Sequence, residues 1–382
     1  MSTQTTQTTQ QTAQSSQPDL LYSEEEGALR SAVRGLLADR CEAAAVLARI
    51  ESPADGSPHD RELWKALTDG MGLAGLLVPE ELGGQGATHR EAAVVLEELG
   101  RAMAPVPYLT SAVVATQTLL ACGGDEAAGL LGELATGRTV AALAAGLAVA
   151  PGDAVEGVRL EEGALRGELA AVADAAGADV LLVPADGALF AVDTAQDGVT
   201  VTAQTSLDLT RPLATVTFDG SRARRLTGDA DAAVRQGLRA GAALLASEQL
   251  GIAEWCLTET VRYTKERHQF NRPVGSFQAL KHRLAQLWLE VVNLRAAARN
   301  AADALATDSA EADLAAALAQ ACAGAVAVHA AEEALQLHGG IGMTWEHPVH
   351  LYLKRAKADS IAYGTAGRHR EALAALVDLQ AP

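Results

Sequence analysis

Aromatic residues are scarce, with four Trp, five Tyr and four Phe making up 3% of 382 residues. A core without them must be built from Ala, Leu and Val, a mixture that favours helix over sheet along most of the length. Cysteine is nearly as rare. Cys41, Cys122, Cys256 and Cys322 show no C-x-x-C spacing and no neighbouring histidine pair, which argues against a zinc site and a disulfide framework alike. A reducing cytoplasm is therefore the expected location. Positive charge is outweighed as well. The formal net charge of −18 excludes the cationic surface that nucleic acid requires. Basic leader sequence and long charge-free apolar runs are missing too, so neither a secretion signal nor a membrane span is expected. The Thr/Gln/Ser-rich start cannot bury enough apolar surface to offset its ordering entropy, and residues 1–20 are expected to form a mobile tail.

The full 382-residue chain is 49% hydrophobic and long enough for two or three domains. Residues 21–135 read as helical. Ser23 and Glu26 form a capping box ahead of Leu29, Val33 and Leu36, and the helical pattern is interrupted by the Pro- and Gly-containing stretch from Met71 to Gly86. Residues 136–228 change texture, with β-prone runs at 180–183, 188–192, 199–202 and 214–218 separated by Gly, Asp and Pro. Residues 229–382 return to helical spacing. Leu284, Leu287, Trp288 and Val291 form an apolar stripe, and Glu311 to Leu337 is an alanine-rich helix, so about four helices and a bundle are expected. The class is α+β: a helical domain, a β domain and a helical bundle.

Four segments carry a more specific signal. Gln336-Leu337-His338-Gly339-Gly340-Ile341-Gly342 places a glycine pair just past a helix, where backbone becomes approachable. Upstream lie Arg267-His268-Gln269-Phe270 and, eight residues after Phe270, Gln278. Val78-Pro79-Glu80-Glu81-Leu82-Gly83-Gly84-Gln85-Gly86 and Glu97-Glu98-Leu99-Gly100-Arg101 complete the set. Together they resemble the acyl-CoA dehydrogenase family, flavoproteins that desaturate acyl thioesters between the α and β carbons. The resemblance implies FAD as cofactor, with Arg267, Phe270, Gln278, Gln336, Gly339 and Gly340 reaching across a dimer interface to the ADP half of a neighbour's flavin. Arg267, with five donors in a planar fork, suits a pyrophosphate, and Phe270 one helical turn later offers an apolar face.

Departures from the family are equally specific. Where its T-E-P-x-x-G-S-D loop is expected stands Ala145 to Asp153, and the W-I-T stretch, whose tryptophan packs on the flavin ring, falls on Ala171-Val172-Ala173. The catalytic glutamate that removes the α proton is expected immediately before Gly364-Thr365, where this chain has Tyr363; the alternative position on an earlier helix is Gly241. A phenol with an ordinary pKa near ~10 is a poor base at neutral pH. Glu248, two turns beyond Gly241, reads as a structural acid, and Asp359 as a surface charge. His338, His347 and His350 share one loop region but lack acidic or cysteine companions at ligand spacing, so no metal is expected.

The losses fall on the parts a subunit uses for its own flavin, and the retained parts serve a neighbour. The leading expectation is one half of a heteromeric, α2β2 enzyme acting on an acyl-CoA or acyl-carrier thioester. A homologous subunit would supply the base, and electron-transfer flavoprotein would be a possible electron acceptor. A self-sufficient homo-oligomer using Tyr363, Glu248 or another acid, a flavin-dependent monooxygenase on the same scaffold, and a scaffold subunit binding neither flavin nor thioester are the alternatives.

Overall fold

The structure is a computed structural model that describes residues 20–52 and 57–379. The expected mobile tail lies, but for Leu20, outside the described residues. The first domain contains α1 (Glu24–Arg40), α2 (Ala43–Glu51), α3 (Arg61–Met71), α4 (His89–Ala102), α5 (Thr116–Cys122) and α6 (Gly124–Ala135). The capping box forms as its residues dictate: the Ser23 hydroxyl accepts from the Glu26 N–H at 3.0 Å, and the Glu26 carboxylate accepts from the Ser23 N–H at 2.7 Å.

The β layer consists of β1 (Ala141–Leu143), β2 (Val158–Glu161), β3 (Ala164–Ala173), β4 (Val180–Ala185), β5 (Ala188–Asp193), β6 (Val199–Gln204), β7 (Leu213–Ser221) and β8 (Arg224–Thr227). They form two four-stranded sheets, ordered β1-β4-β5-β8 and β2-β3-β7-β6. Leu165, Val183, Phe190, Val216 and Phe218 share the apolar layer between them. The four expected strands are present as β4 to β7, and β1, β2, β3 and β8 come in addition. The sequence of β3 is rich in Ala, Gly and Glu, so propensity hides it; burial of Leu165, Leu169 and Val172 holds it in place.

The C-terminal part opens with α7 (Ala230–Glu266), followed by the short hairpin β9 (His268–Gln269) and β10 (Arg272–Pro273). Then come α8 (Gln278–Ala306), α9 (Ala312–His338), α10 (Val349–Asp359) and α11 (Ala366–Leu376). The expected stripe on α8 is only half right. Leu287 and Val291 are buried, whereas Trp288 is 54% exposed beside Leu289, because the helix turns Leu294 and Ala298 inward instead. A membrane-length apolar run, not expected from the sequence, is present after all. The α9 segment, continued to Met343, is long and apolar enough to span a bilayer, with a mean hydropathy of 1.6. Alanine supplies that hydropathy without bulk, and 56% of the window is buried between neighbouring helices, so α9 is the central core helix.

The seam between α4 and α7 explains part of the Glu97–Arg101 motif. A Cβ on Gly100 would collide with the Glu248 backbone carbonyl, and one on Gly251 with the Glu97 carbonyl and, at 2.9 Å, the Arg101 amide. Two reciprocal glycines thus set how closely the domains approach. Replacing Gly251→Ala is expected to cost about 1–3 kcal/mol in urea unfolding, although the substitution would favour an exposed helix by up to ~1 kcal/mol. An unchanged or raised midpoint would show that the seam is loose.

Candidate functional site

Arg267, Gln336, Gly339 and Gly340 line one open cleft of about 500 Å³, which Tyr263 and Gln269 also border. The α7 helix stops at Glu266, and the Arg267 N–H donates to the Tyr263 carbonyl at 2.8 Å as the cap. The exposed Arg267 guanidinium has no carboxylate partner among the described residues. Among the described residues nothing lies within 4 Å of where a Cβ would stand on Gly339, at φ 63°, or on Gly340, so bare backbone borders the cleft. A planar cation beside exposed amides suits a diphosphate. Two of the expected residues sit differently. Phe270 is not one helical turn from Arg267. It occupies the hairpin turn with Asn271, at φ 51° and 58°, both left-handed as a type I′ turn demands, and its ring is 86% exposed. Gln278 starts α8 outside the cleft lining, with its amide 3.4 Å from His282 Nε2.

Tyr363 and Gly241 meet in space. A Cβ on Gly241 would stand 3.2 Å and 3.3 Å from two Tyr363 ring carbons and 2.7 Å from Val114, so the phenol fills the space a longer residue at 241 would need. Around them the domains close together. The Leu147 N–H donates to the Ala171 carbonyl at 2.9 Å, and the Leu147 carbonyl accepts from the Tyr363 N–H at 2.7 Å. The segment at the T-E-P position is thereby stitched to both the W-I-T position and the base position. The void left between Val114, Leu143, Leu147, Ala173, Leu238 and Tyr363 is about 20 Å³, room for a water but far below the roughly 300–1,000 Å³ of ligand pockets. Burial pushes the Tyr363 phenol well above its ordinary value; nearby Arg211 opposes this and Asp174, Glu248 and Asp359 reinforce it. A phenol shifted in that direction favours its protonated form at neutral pH and makes a poor base.

Beneath Tyr363 lies a buried ionic cluster that sequence reasoning largely missed. Arg211, in the loop between β6 and β7, donates to both Glu248 oxygens at 2.9 Å and 2.7 Å and to Asp359 at 2.6 Å. Arg355 donates to Glu248 at 2.5 Å, to Thr210 at 2.5 Å and to Asp208. All five charged groups are 6% exposed or less. Asp359 is therefore no surface charge: it lies on the buried face of helix α10 with Tyr352 and, one turn earlier, Arg355, while Lys357 on the exposed side pairs with Glu332. Glu248 is a structural acid. Burial works to raise its pKa, but two guanidiniums outweigh burial and hold it below the ordinary carboxylate value. Three carboxylates against two cations leave one excess, and it falls on Asp359, whose second oxygen has no partner among the described residues. Burial and then Glu248 push its pKa up to about 8. A second polar link, His59 Nε2 to Asp174 at 2.9 Å with Thr110 donating to Asp174 at 2.6 Å, ties the first domain to the β layer. No periodicity or spacing in Asp208, Thr210 and Arg211 signals this cluster; only folding brings α7, α10 and that loop together.

The histidines, passed over for want of an acidic companion, gain one in space. Glu259 on α7 lies beside His338 and His347, while His350 stacks on Trp345 instead.

Two family profiles match the chain: acyl-CoA dehydrogenase, N-terminal domain, over residues 23–138, and acyl-CoA dehydrogenase, C-terminal domain, over residues 231–377. The chain belongs to the acyl-CoA dehydrogenase family of flavin-dependent oxidoreductases. It is 38% identical over 343 residues to acyl-CoA dehydrogenase IpdE2 of Mycolicibacterium smegmatis, covering 90% of this chain and 95% of that protein. Among solved structures it is similar to the ChsE4-ChsE5 complex of Mycobacterium tuberculosis, with a TM-score of 0.85 and 30% identity over 95% of this chain and 100% of the other. The steroid ACAD Tcur3481-Tcur3483 gives a TM-score of 0.82 and 30% identity over 93% and 98%.

The cluster sets a pH dependence. Asp359 has a folded pKa above the unfolded value of about 3.9, so its contribution to stability is complete below that pH and drains away as pH rises toward 8. Asp359→Asn, which keeps an acceptor for Arg211, is expected to flatten the fall in melting temperature between pH 5 and about 8. Glu248→Gln strips charge from between two buried guanidiniums and is expected to cost about 3–5 kcal/mol. Equal effects of the two variants at every pH would contradict this assignment.

Proposed function

We propose that this chain is the nucleotide-gripping half of a heteromeric, α2β2 acyl-CoA dehydrogenase whose homologous partner supplies the catalytic base and the pocket for the flavin ring. One contrast carries this reading. The space at the two base positions is closed to about 20 Å³, while the cleft at Arg267, Gln336, Gly339 and Gly340 stands open at about 500 Å³. A dinucleotide's phosphates fit the open cleft, and an isoalloxazine ring does not fit the closed one. FAD, when bound, accepts the β hydrogen of the thioester as hydride. This chain's part would be to hold the diphosphate: the Arg267 guanidinium could offer it paired donors, and the bare backbone at Gly339 and Gly340 would allow close approach. Phe270, held out of its own subunit, offers an apolar face toward the neighbour.

Removal of the α proton falls to the partner. Tyr363 is locked in its protonated form, Gly241 has no side chain, and Glu248 already accepts from two arginines. A self-sufficient enzyme using Tyr363 or Glu248 is disfavoured on the same grounds. The ChsE4-ChsE5 relative is a two-component complex, which supports the heteromeric reading. The steroid designation of the Tcur3481-Tcur3483 relative supports a bulky polycyclic acyl group as substrate, carried as a CoA thioester. Electron-transfer flavoprotein as acceptor and a cytoplasmic location complete the proposal.

In the co-expressed pair, Arg267→Ala is expected to cost about 2–4 kcal/mol of flavin affinity, lowering bound FAD at least tenfold while the subunits still co-elute. Full retention of flavin by that variant would remove the basis for the reading.

A further inference from the structure

The end of α9 carries a histidine with an unusual arrangement of partners. His338 is 2% exposed, its Nδ1 donates to the Ala334 carbonyl at 2.6 Å, and its Nε2 is buried with no hydrogen-bond partner among the described residues. A proton fixed on Nδ1 leaves Nε2 with a free lone pair, the state in which backbone carbonyls hold metal-binding imidazoles. Two other ligand types stand beside it. One ligand-type atom from each of Glu259, His338 and His347 lies within 4.8 Å of the other two. The His338 and His347 rings are 4.4 Å apart at their centroids, and Tyr263 stacks on His338 at 4.5 Å. The three come from different elements: Glu259 from α7, His338 from the last residue of α9, and His347 from the loop leading into α10.

We infer that Glu259, His338 and His347 form a binding site for a divalent transition metal, with Zn²⁺ the fitting ion, clamping the glycine loop that borders the nucleotide cleft. Two imidazoles and a carboxylate are a recurring three-ligand zinc set with a fourth position for water, and half-buried Glu259 and His347 leave one side of the site open to it. Tetrahedral ligands with bonds of about 2.1 Å stand roughly 3.4 Å apart, so the set must contract. The two half-buried side chains have the freedom to do so. His347 would give up a 3.3 Å contact from the Val349 N–H to its Nδ1 if it bound through Nδ1, and would keep it if it bound through Nε2. Glu259 is held by Arg262 at 2.5 Å and 2.9 Å, but Arg262 is 54% exposed and already shares Glu266 at 2.6 Å, so it has a second partner when a metal takes an oxygen. The consequence is local. Gly339 and Gly340 follow His338 directly, so the metal fixes the departure of the cleft's backbone from α9.

The test uses the full chain, together with its partner subunit where one co-purifies, stripped with a chelator and titrated with Co²⁺ followed by visible absorption. The expected result is one Co²⁺ per chain with the intense bands of tetrahedral cobalt, displaced by Zn²⁺, and a Zn²⁺-dependent rise in melting temperature. His347→Ala and Glu259→Gln should each weaken binding by about tenfold or more and shrink that rise at a fixed Zn²⁺ concentration, with their metal-free melting temperatures little changed because both side chains are only half-buried. Non-saturable or pale, octahedral binding, or binding that neither variant weakens, would overturn the proposal. Should one variant fail to fold, the other and the wild-type cobalt spectrum still decide it. The flavin content of the complex is not part of the readout, so failure here leaves the proposed function standing.

Discussion

Arg211 is the residue on which the junction of the molecule depends. It leaves the β layer on a loop and is buried between Glu248 of α7 and Asp359 of α10, with Arg355 closing the ring through Glu248 and Asp208. Charges so deeply buried are tolerable only when each is paired and hydrogen-bonded, and their worth lies in fixing one arrangement more than in net stability. Here they fix the β layer on the bundle and set the backdrop against which Tyr363 packs. Two forks on Glu248 and one on Asp359 distribute the charge unequally: Glu248 stays ionised and Asp359 carries the surplus proton. A cluster built this way has no carboxylate to spare for proton abstraction.

The same junction bears on the proposed division of the site between two subunits. Leu147 is bonded on one side to Ala171 and on the other to Tyr363, so the three segments that the family resemblance places around a flavin ring touch each other. Small residues at 145, 146, 171 and 173 permit that approach. At the other end of the bundle, the helix termini at Glu266 and His338 leave an arginine without a carboxylate partner among the described residues and two bare glycines around an open cleft. Closed at one end and open at the other, the fold supports the reading of a subunit that holds a cofactor's phosphates for a neighbour.

Much of this is legible in the sequence because it rests on local signals. The capping box at Ser23 and Glu26, the glycine pair after α9 and the two helical ends bracketing a β layer are short-range patterns that tertiary contacts leave intact. What escapes depends on long-range packing. Strand β3 has little β propensity and is held by burial; Phe270 reads as helical, yet the helix ends at Glu266; Asp359 reads as solvent-facing because its neighbours Arg211 and Glu248 are 148 and 111 positions away in sequence, respectively. Glu259 is likewise distant from His338, so the histidine group looks incomplete. Trp288 shows the converse error, a periodic apolar residue left outside because α8 presents a different face to α7 and α9.

The proposal that this chain leaves the flavin ring to a partner is tested most directly by purifying it without any partner and measuring flavin by its visible absorption, with and without added FAD. The expected product is a folded, colourless protein that retains no stoichiometric flavin after gel filtration and shows no bleaching with acyl-CoA. A yellow protein holding one FAD per chain and bleached by an acyl-CoA on its own would contradict it.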